Sequence, residues 1–188
     1  MISPMMKILN TTLDGVFIIE SDSRADSRGL FTRLFCEMEF QSILKNRHVV
    51  QINHTITRSV GAIRGLHYQI PPFAEMKIIR CLKGRVWDVA VDLRSGSSTF
   101  LKWHASELSP ENSRIMVIPE GFAHGFQVMN ENSELLYFHT AFYEKSAEGA
   151  VRFDDPALLI HWPLPITDIS ERDQNHPLIN KLFTGIKL

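Results

Sequence analysis

The stretch Met76-Lys77-Ile78-Ile79-Arg80-Cys81-Leu82-Lys83-Gly84-Arg85-Val86-Trp87-Asp88-Val89-Ala90-Val91-Asp92-Leu93 decides the fold. It reads as two strands joined at Lys83-Gly84. In the second, Trp87, Val89, Val91 and Leu93 alternate with Val86, Asp88, Ala90 and Asp92, which predicts a half-buried strand. The same punctuation repeats outward. Arg94-Ser95-Gly96-Ser97-Ser98 turns the chain into a strand over residues 100–108, and Ser109-Pro110-Glu111-Asn112 turns it again. Residues 115–119, 125–129 and 135–143 read as further short strands. Upstream, residues 6–20 read as strand, turn at Asp14-Gly15, strand; residues 21–28 form a polar loop that Gly29 ends. Phe40, Ile43 and Leu44 mark a short helix over residues 37–46. Residues 49–57 alternate, with Gln51, Asn53, Thr55 and Thr57 on one face and Ile52, His54 and Ile56 on the other. Such a polar face is either an edge facing water or the lining of a pocket, and the nearness of His67 favours the pocket. Short strands at regular intervals with few helices predict an all-β barrel or sandwich. The proline-rich tail, with Asp155-Pro156 and Trp162-Pro163-Leu164-Pro165, reads as a loop that wraps, ending in one or two helical turns over residues 177–183.

The 188 residues fit one domain spanning 1–188, with no repeat or linker. Lys and Arg number 20 against 21 Asp and Glu, a net charge of -1, so no global field recruits nucleic acid or an anionic membrane. An anionic ligand must be held by local Arg and Lys. Cys36 and Cys81 lie far apart without metal or redox spacing, which fits core thiols in a reducing compartment. Residues 1–7 lack a leader pattern and no run of 18 apolar residues occurs, so the expected location is the cytoplasm.

The chemistry concentrates in Arg64-Gly65-Leu66-His67-Tyr68-Gln69. Histidine titrates nearest physiological pH and is the default proton carrier. In an extended segment Gln69 shares the face of His67, and Arg64 has the opposite parity. A second dense stretch, Ile118-Pro119-Glu120-Gly121-Phe122-Ala123-His124-Gly125-Phe126, and a Tyr-bearing strand follow. His67, His124, Tyr137, Tyr143, Lys77 and Asp173 together suit enolisation beside a carbonyl. A base takes a proton from carbon, a donor steadies the enolate oxygen, and an acid returns a proton to the other face. Each has an ordinary alternative: His67 as a hydrogen-bonded sheet residue, Tyr137 as core, Lys77 and Asp173 as solvated charges, His124 as a turn residue. Spacing alone does not bring Asp173 to His67. Pro119-x-Gly121-x-x-His124 matches half of the pattern of metal-binding cupin barrels, but His67-x-Gln69 breaks the His-x-His pair, and Glu75 is the one substitute carboxylate. No metal is expected.

The chain resembles the dTDP-4-dehydrorhamnose 3,5-epimerase family from Gly15 to about Pro177. The resemblance rests on Asp26-x-Arg28-Gly29-x-Phe31, Gln51-x-Asn53-x-Thr55, Arg64-Gly65-Leu66-His67-Tyr68-Gln69, Asp88-Val89-Ala90-Val91-Asp92-Leu93-Arg94, the His124 stretch, Asp154-Asp155-Pro156-Ala157 and Ile169-Ser170-Glu171-Arg172-Asp173, in that order. It implies a cupin-type jelly-roll barrel with short flanking helices, active as a cytoplasmic homodimer without cofactor or metal on a nucleotide-diphospho-4-keto-6-deoxyhexose, in deoxysugar synthesis for the cell envelope or a glycosylated product. By the same resemblance His67 is the base, Asp173 its carboxylate, Tyr137 the acid on the opposite face, and Lys77 the enolate's donor. His124 lines that pocket. Arg64, Gln51 and Asn53 resemble contacts to the diphosphate and its surroundings, and Tyr143 a contact at the nucleotide or sugar end. Gln69 is grouped with them, and Arg28 and Phe31 resemble an arm reaching a neighbouring subunit's nucleotide.

The departures are specific. Arg33 stands where well-known members carry a Glu against the nucleoside, reversing charge and hydrogen-bond polarity, so a nucleotide other than dTDP is an open alternative. Glu75 stands where Gln is common. Inversion at C3″, C5″ or both is the leading expectation; 3,4-ketoisomerisation and a non-catalytic nucleotide-sugar-binding barrel are the alternatives.

Overall fold

Alternating side chains sort this chain into three apolar layers, one between two sheets and one outside each. The computed structural model of the protein describes residues 6–188; the expectation of no leader over residues 1–7 falls largely outside them. Strands β1 (Met6–Asn10), β2 (Phe17–Ser21), β5 (Gln51–Thr57), β7 (Lys77–Lys83), β10 (Arg114–Ile118) and β12 (Ser133–His139) form one sheet in the order β1-β2-β10-β7-β12-β5. Strands β6 (Ile63–Gln69), β8 (Val86–Asp92), β9 (Trp103–Leu108), β11 (Phe122–Val128) and β13 (Glu148–Ala150) form the other, in the order β13-β6-β11-β8-β9. Within both sheets every ladder is antiparallel, and the result is the expected all-β barrel of jelly-roll type.

The middle layer contains Ile18, Ile79, Cys81, Ala90, Met116, Phe126 and Leu135. Helix α1 (Glu37–Leu44) lays Phe40, Ile43 and Leu44 over the outer face of the first sheet, against Ile78, Ile115, Val117 and Phe138. Each such side chain contributes roughly 1.5–3 kcal/mol by leaving water. The tail covers the second sheet, packing Leu158, Trp162, Phe183 and Ile186 over Val89, Val91 and Leu93. The indoles of Trp103 and Trp162 fasten it by donating to the carbonyls of Leu158 and Phe153.

Several expectations need correction. The two strands expected to join at Lys83-Gly84 are found as β7 and β8, but they lie in opposite sheets, and the chain crosses between them where Gly84 has φ +73°. Strand β8 is buried on both faces rather than half-buried, because the tail covers the side opposite the barrel interior. Residues 21–28 are not a loop but most of a hairpin, β3 (Ser23–Asp26) with β4 (Gly29–Thr32), an exposed arm without a buried face to produce alternation. Strand β11 starts at Phe122, ahead of the expected Gly125, and is buried throughout, so no alternation marks its start. Strand β9 starts at Trp103 and β12 ends at His139, leaving Tyr143 in a loop. The helical turn in the tail is α2 (Glu171–Gln174), not residues 177–183; the Ser170 hydroxyl accepts from the Asp173 amide and caps it.

Candidate active site

Period-two alternation aligns the polar residues of neighbouring strands into rows. Across β7, β12 and β5 the register pairs Lys77 with His139 and His139 with Gln51, and, two residues along, Ile79 with Tyr137 and Tyr137 with Asn53. On the facing sheet His67 of β6 pairs directly with His124 of β11. Between these walls lies a cavity of about 640 Å³ lined by Asn53, Thr55, Lys77, Tyr137 and His139 from one sheet and by Arg64, His67, Gln69 and His124 from the other. Asp173 and Arg172 of the tail close one side.

The tail supplies what spacing could not. His67 Nε2 lies 2.8 Å from Asp173 Oδ1, and Asp173 Oδ2 accepts from the Gly65 amide at 3.3 Å. Burial pushes the Asp173 carboxyl up, but the His67 hydrogen bond and charge, the Gly65 amide and the Ser170 hydroxyl outweigh it and hold it at about 2. An ionised carboxylate facing Nε2 makes that nitrogen the protonated one and leaves the lone pair on Nδ1. Gly65 is required here: it has φ +121°, and a Cβ would stand 2.5 Å from Gly125 Cα. That close backbone approach sets β6 against β11 and so His67 beside His124.

A second, fully buried pair lies deeper. His124 Nε2 is 2.8 Å from Asp88 Oδ1, and burial raises the Asp88 carboxyl against the pull of His124 and Lys77. His124 is therefore a strand residue, not a turn residue. Its ring meets Tyr137 edge-on at 5.9 Å. Burial drives the Tyr137 phenol far above its ordinary range, so it remains a protonated acid.

The third cluster was not foreseen. Glu75 links Lys77, 3.3 Å away, to His139 Nδ1 at 2.7 Å, and His139 Nε2 meets the Asn53 amide at 3.3 Å. Burial raises the Glu75 carboxyl, but His139 and Lys77 more than offset this and hold it below its ordinary value. Lys77 Nζ also donates to the His67 carbonyl at 3.2 Å, tying the two walls. Tyr137 stacks on His139 at 6.0 Å. His139 was legible as the residue two beyond Tyr137 on one strand face.

At the rim Tyr143 donates from its hydroxyl to Glu148, which also accepts from Arg172; the Tyr143 amide donates to the Gln51 side chain. Gln69 lines the cavity while its amide group donates to the Phe73 and Phe142 carbonyls and accepts from the Glu144 amide. Arg28 and Phe31 sit on the exposed arm, away from this cavity, and Arg33 is paired with Glu39 of α1. Asp88, Glu148, Arg172 and His176 are site neighbours that spacing did not single out. Arg172 and His176 flank Asp173 in sequence, which is the signal that could have found them.

Comparison with known proteins places this arrangement. The model of the dTDP-4-dehydrorhamnose 3,5-epimerase family matches residues 10–181. The dTDP-4-dehydrorhamnose 3,5-epimerase of Shigella flexneri is 40% identical over 171 residues, 90% of this chain and 94% of that one. The crystal structure of the Elizabethkingia anophelis dTDP-4-dehydrorhamnose 3,5-epimerase superposes with a TM-score of 0.88 at 41% identity, covering 96% of this chain and all of that one. The dTDP-6-deoxy-D-glucose-3,5-epimerase of Legionella pneumophila, solved with dTDP-4-keto-L-rhamnose, gives 0.89 at 38% identity, covering 94% of each chain. Fold and likeness together define an isomerase built on a cupin-type barrel. The chain belongs to the dTDP-4-dehydrorhamnose 3,5-epimerase family.

Proposed function

We propose that this chain inverts the carbons flanking the keto group of dTDP-4-keto-6-deoxyglucose, at C3″ and C5″, in deoxysugar biosynthesis. One observation carries the reading: a histidine with its carboxylate on one wall faces a buried, protonated tyrosine on the other. A proton beside a carbonyl is acidic only if the resulting enolate is stabilised, and Lys77 is the cation in the cavity wall suited to the C4 oxygen. His67 Nδ1 takes the proton, and Asp173 steadies the imidazolium that forms. Tyr137 returns a proton from the other face, which inverts the centre. His124 and its Asp88 fix the floor beneath Tyr137. Arg64 and Arg172 at the mouth suit the diphosphate. Arg33 already has its charge compensated by Glu39, which lessens its conflict with a thymidine nucleotide.

We also propose a homodimer. Strand β5 is a sheet edge whose outward Ile52 and Ile56 are each more than half exposed, and the β3–β4 arm carries exposed Leu30 and Phe31. Arg28 and Phe31, remote from their own cavity, then belong to the partner's site. Sedimentation at micromolar concentration tests this, and a monomer would overturn it. Both cysteines are free and no helix among the described residues is long and apolar enough to cross a membrane, which supports the cytoplasm as its place. The decisive experiment on function is proton NMR of the enzyme with dTDP-4-keto-6-deoxyglucose in deuterated buffer. Loss of both the C3″ and C5″ signals is the expected result; retention of both refutes the reading.

A further inference from the structure

His176 stands three residues beyond Asp173, just past the end of α2, and its side chain turns back toward the base. Its Nε2 lies 3.9 Å from Asp173 Oδ1, the same oxygen that meets His67 Nε2 at 2.8 Å. The Nε2 atom of His176 is buried and has no hydrogen-bond partner, which is costly for a polar atom unless something else fills its lone pair. The two imidazole rings stand nearly perpendicular with centroids 6.4 Å apart. Three ligand atoms, two imidazole nitrogens and a carboxylate oxygen, thus lie within 4.8 Å of one another.

We propose that His67, Asp173 and His176 form a site for a divalent transition-metal ion, zinc first among them, that silences the base when occupied. Two neutral imidazoles and one carboxylate, with a fourth position open, is a donor set this class of ion accepts. Metal–ligand distances of about 2.0–2.2 Å put tetrahedral donors roughly 3.4 Å apart, so the His67–Asp173 pair at 2.8 Å must open slightly and His176 must close in by up to about 1.5 Å, a shift asked of the segment just past a four-residue helix. Among the described residues the cation in the way is Arg172, whose NH2 is 3.1 Å from His67 Nε2 and whose Nε is 3.5 Å from Asp173. Its side chain is 54% exposed and free to swing to Glu148, which it already touches.

Silencing follows from proton bookkeeping and rests on the function proposed above. A metal on His67 Nε2 takes that nitrogen's lone pair, so the neutral ring carries its proton on Nδ1. No net proton is released, but Nδ1 ceases to be an acceptor. The ion therefore competes with turnover without entering the substrate's part of the cavity. The same ligand set in an unproductive tautomer is an off state, set by free zinc.

The test uses the full chain, stripped with chelator and then freed of it. Zinc is titrated by calorimetry and cobalt by its visible absorption, and turnover is followed by NMR. One ion per chain, with loss of turnover as the site fills, is expected. His176→Ala should keep its turnover yet bind zinc at least tenfold more weakly, since changing even an outer partner of a metal ligand costs 10–100-fold. Arg172→Gln should bind zinc more tightly than the parent. Zinc bound and inhibiting equally in His176→Ala, or no zinc bound at micromolar concentration, overturns the proposal. A chain with no turnover on any substrate would sink the epimerase reading while leaving the metal titration to be judged by itself.

Discussion

Asp173→Asn changes one atom and puts the base in conflict with its surroundings. The two carboxylate oxygens serve two donors, His67 Nε2–H at 2.8 Å and the Gly65 amide at 3.3 Å. An amide has one acceptor and one donor, so only one contact survives. If its oxygen faces His67, its NH2 confronts the Gly65 N–H. If it turns over, its NH2 faces Nε2, and the imidazole must move its proton to Nδ1, where the substrate's proton was to go. A charge-assisted hydrogen bond worth about 1.5–3 kcal/mol is lost either way. Mis-set tautomers in histidine–carboxylate pairs cost up to about 10⁴ in rate. The expected fall in exchange rate is about 10²- to 10⁴-fold, or about 2.7–5.5 kcal/mol. KM should hardly move, because the Asp173 side chain is 5% exposed and sits behind the imidazole. Deuterium exchange at C3″ and C5″, measured with the melting temperature of the variant, reads both quantities. A properly folded Asp173→Asn enzyme exchanging within about tenfold of the parent would refute this account of the base.

Tyr137→Phe should leave deprotonation largely intact and stop inversion, so substrate gains deuterium while product fails to appear; equal loss of both would remove Tyr137 from its role as far-face acid. Glu75 is held below its ordinary value, so its contribution to stability is present above the usual carboxylate range and is lost as pH falls through its depressed pKa. Glu75→Gln should therefore melt lower than the parent at neutral pH, by about 1.5–3 kcal/mol, with the two curves converging in acid; parallel curves at every pH would contradict the pairing. Phe40→Ala, which empties a fully buried position under α1, should cost about 3–5 kcal/mol in denaturant titration while sparing KM in whatever remains folded. Gly65→Ala places a methyl 2.5 Å from Gly125 Cα at a left-handed φ, and should give little folded protein; a soluble, active variant would show that the β6–β11 approach is adjustable.

What was legible followed from periodicity. Strand β5 alternates because one face meets the cavity, so Asn53 could be placed on a strand face, whereas β7 and β12 were legible as short apolar runs bounded by turn residues, which put Lys77 and Tyr137 on strands. Where both faces are buried, as in β8 and β11, alternation carries no message about which side faces what. The arm of β3 and β4 buries neither face and left the opposite silence. The meeting of His67 with Asp173 joins residues 106 apart, and no local rule reaches that far; only resemblance put them together. The Glu75–His139 pair escaped because Glu75, in the loop just before β7, was weighed only as a substitute metal carboxylate, and its contact reaches across to the end of β12, 64 residues on.

The wrapping tail also orders events in time. A chain emerging from the ribosome amino end first has synthesised the thirteen strands of the described residues by Ala150, yet the carboxylate that meets His67 arrives only with α2. Until residues 155–173 dock across the second sheet, held by Trp103 and Trp162, His67 in the barrel lacks its carboxylate partner. On the mechanism proposed above, turnover is a signature of finished molecules. A protease that trims the tail before Asp173 would remove the carboxylate partner of His67 along with part of the apolar layer over the second sheet.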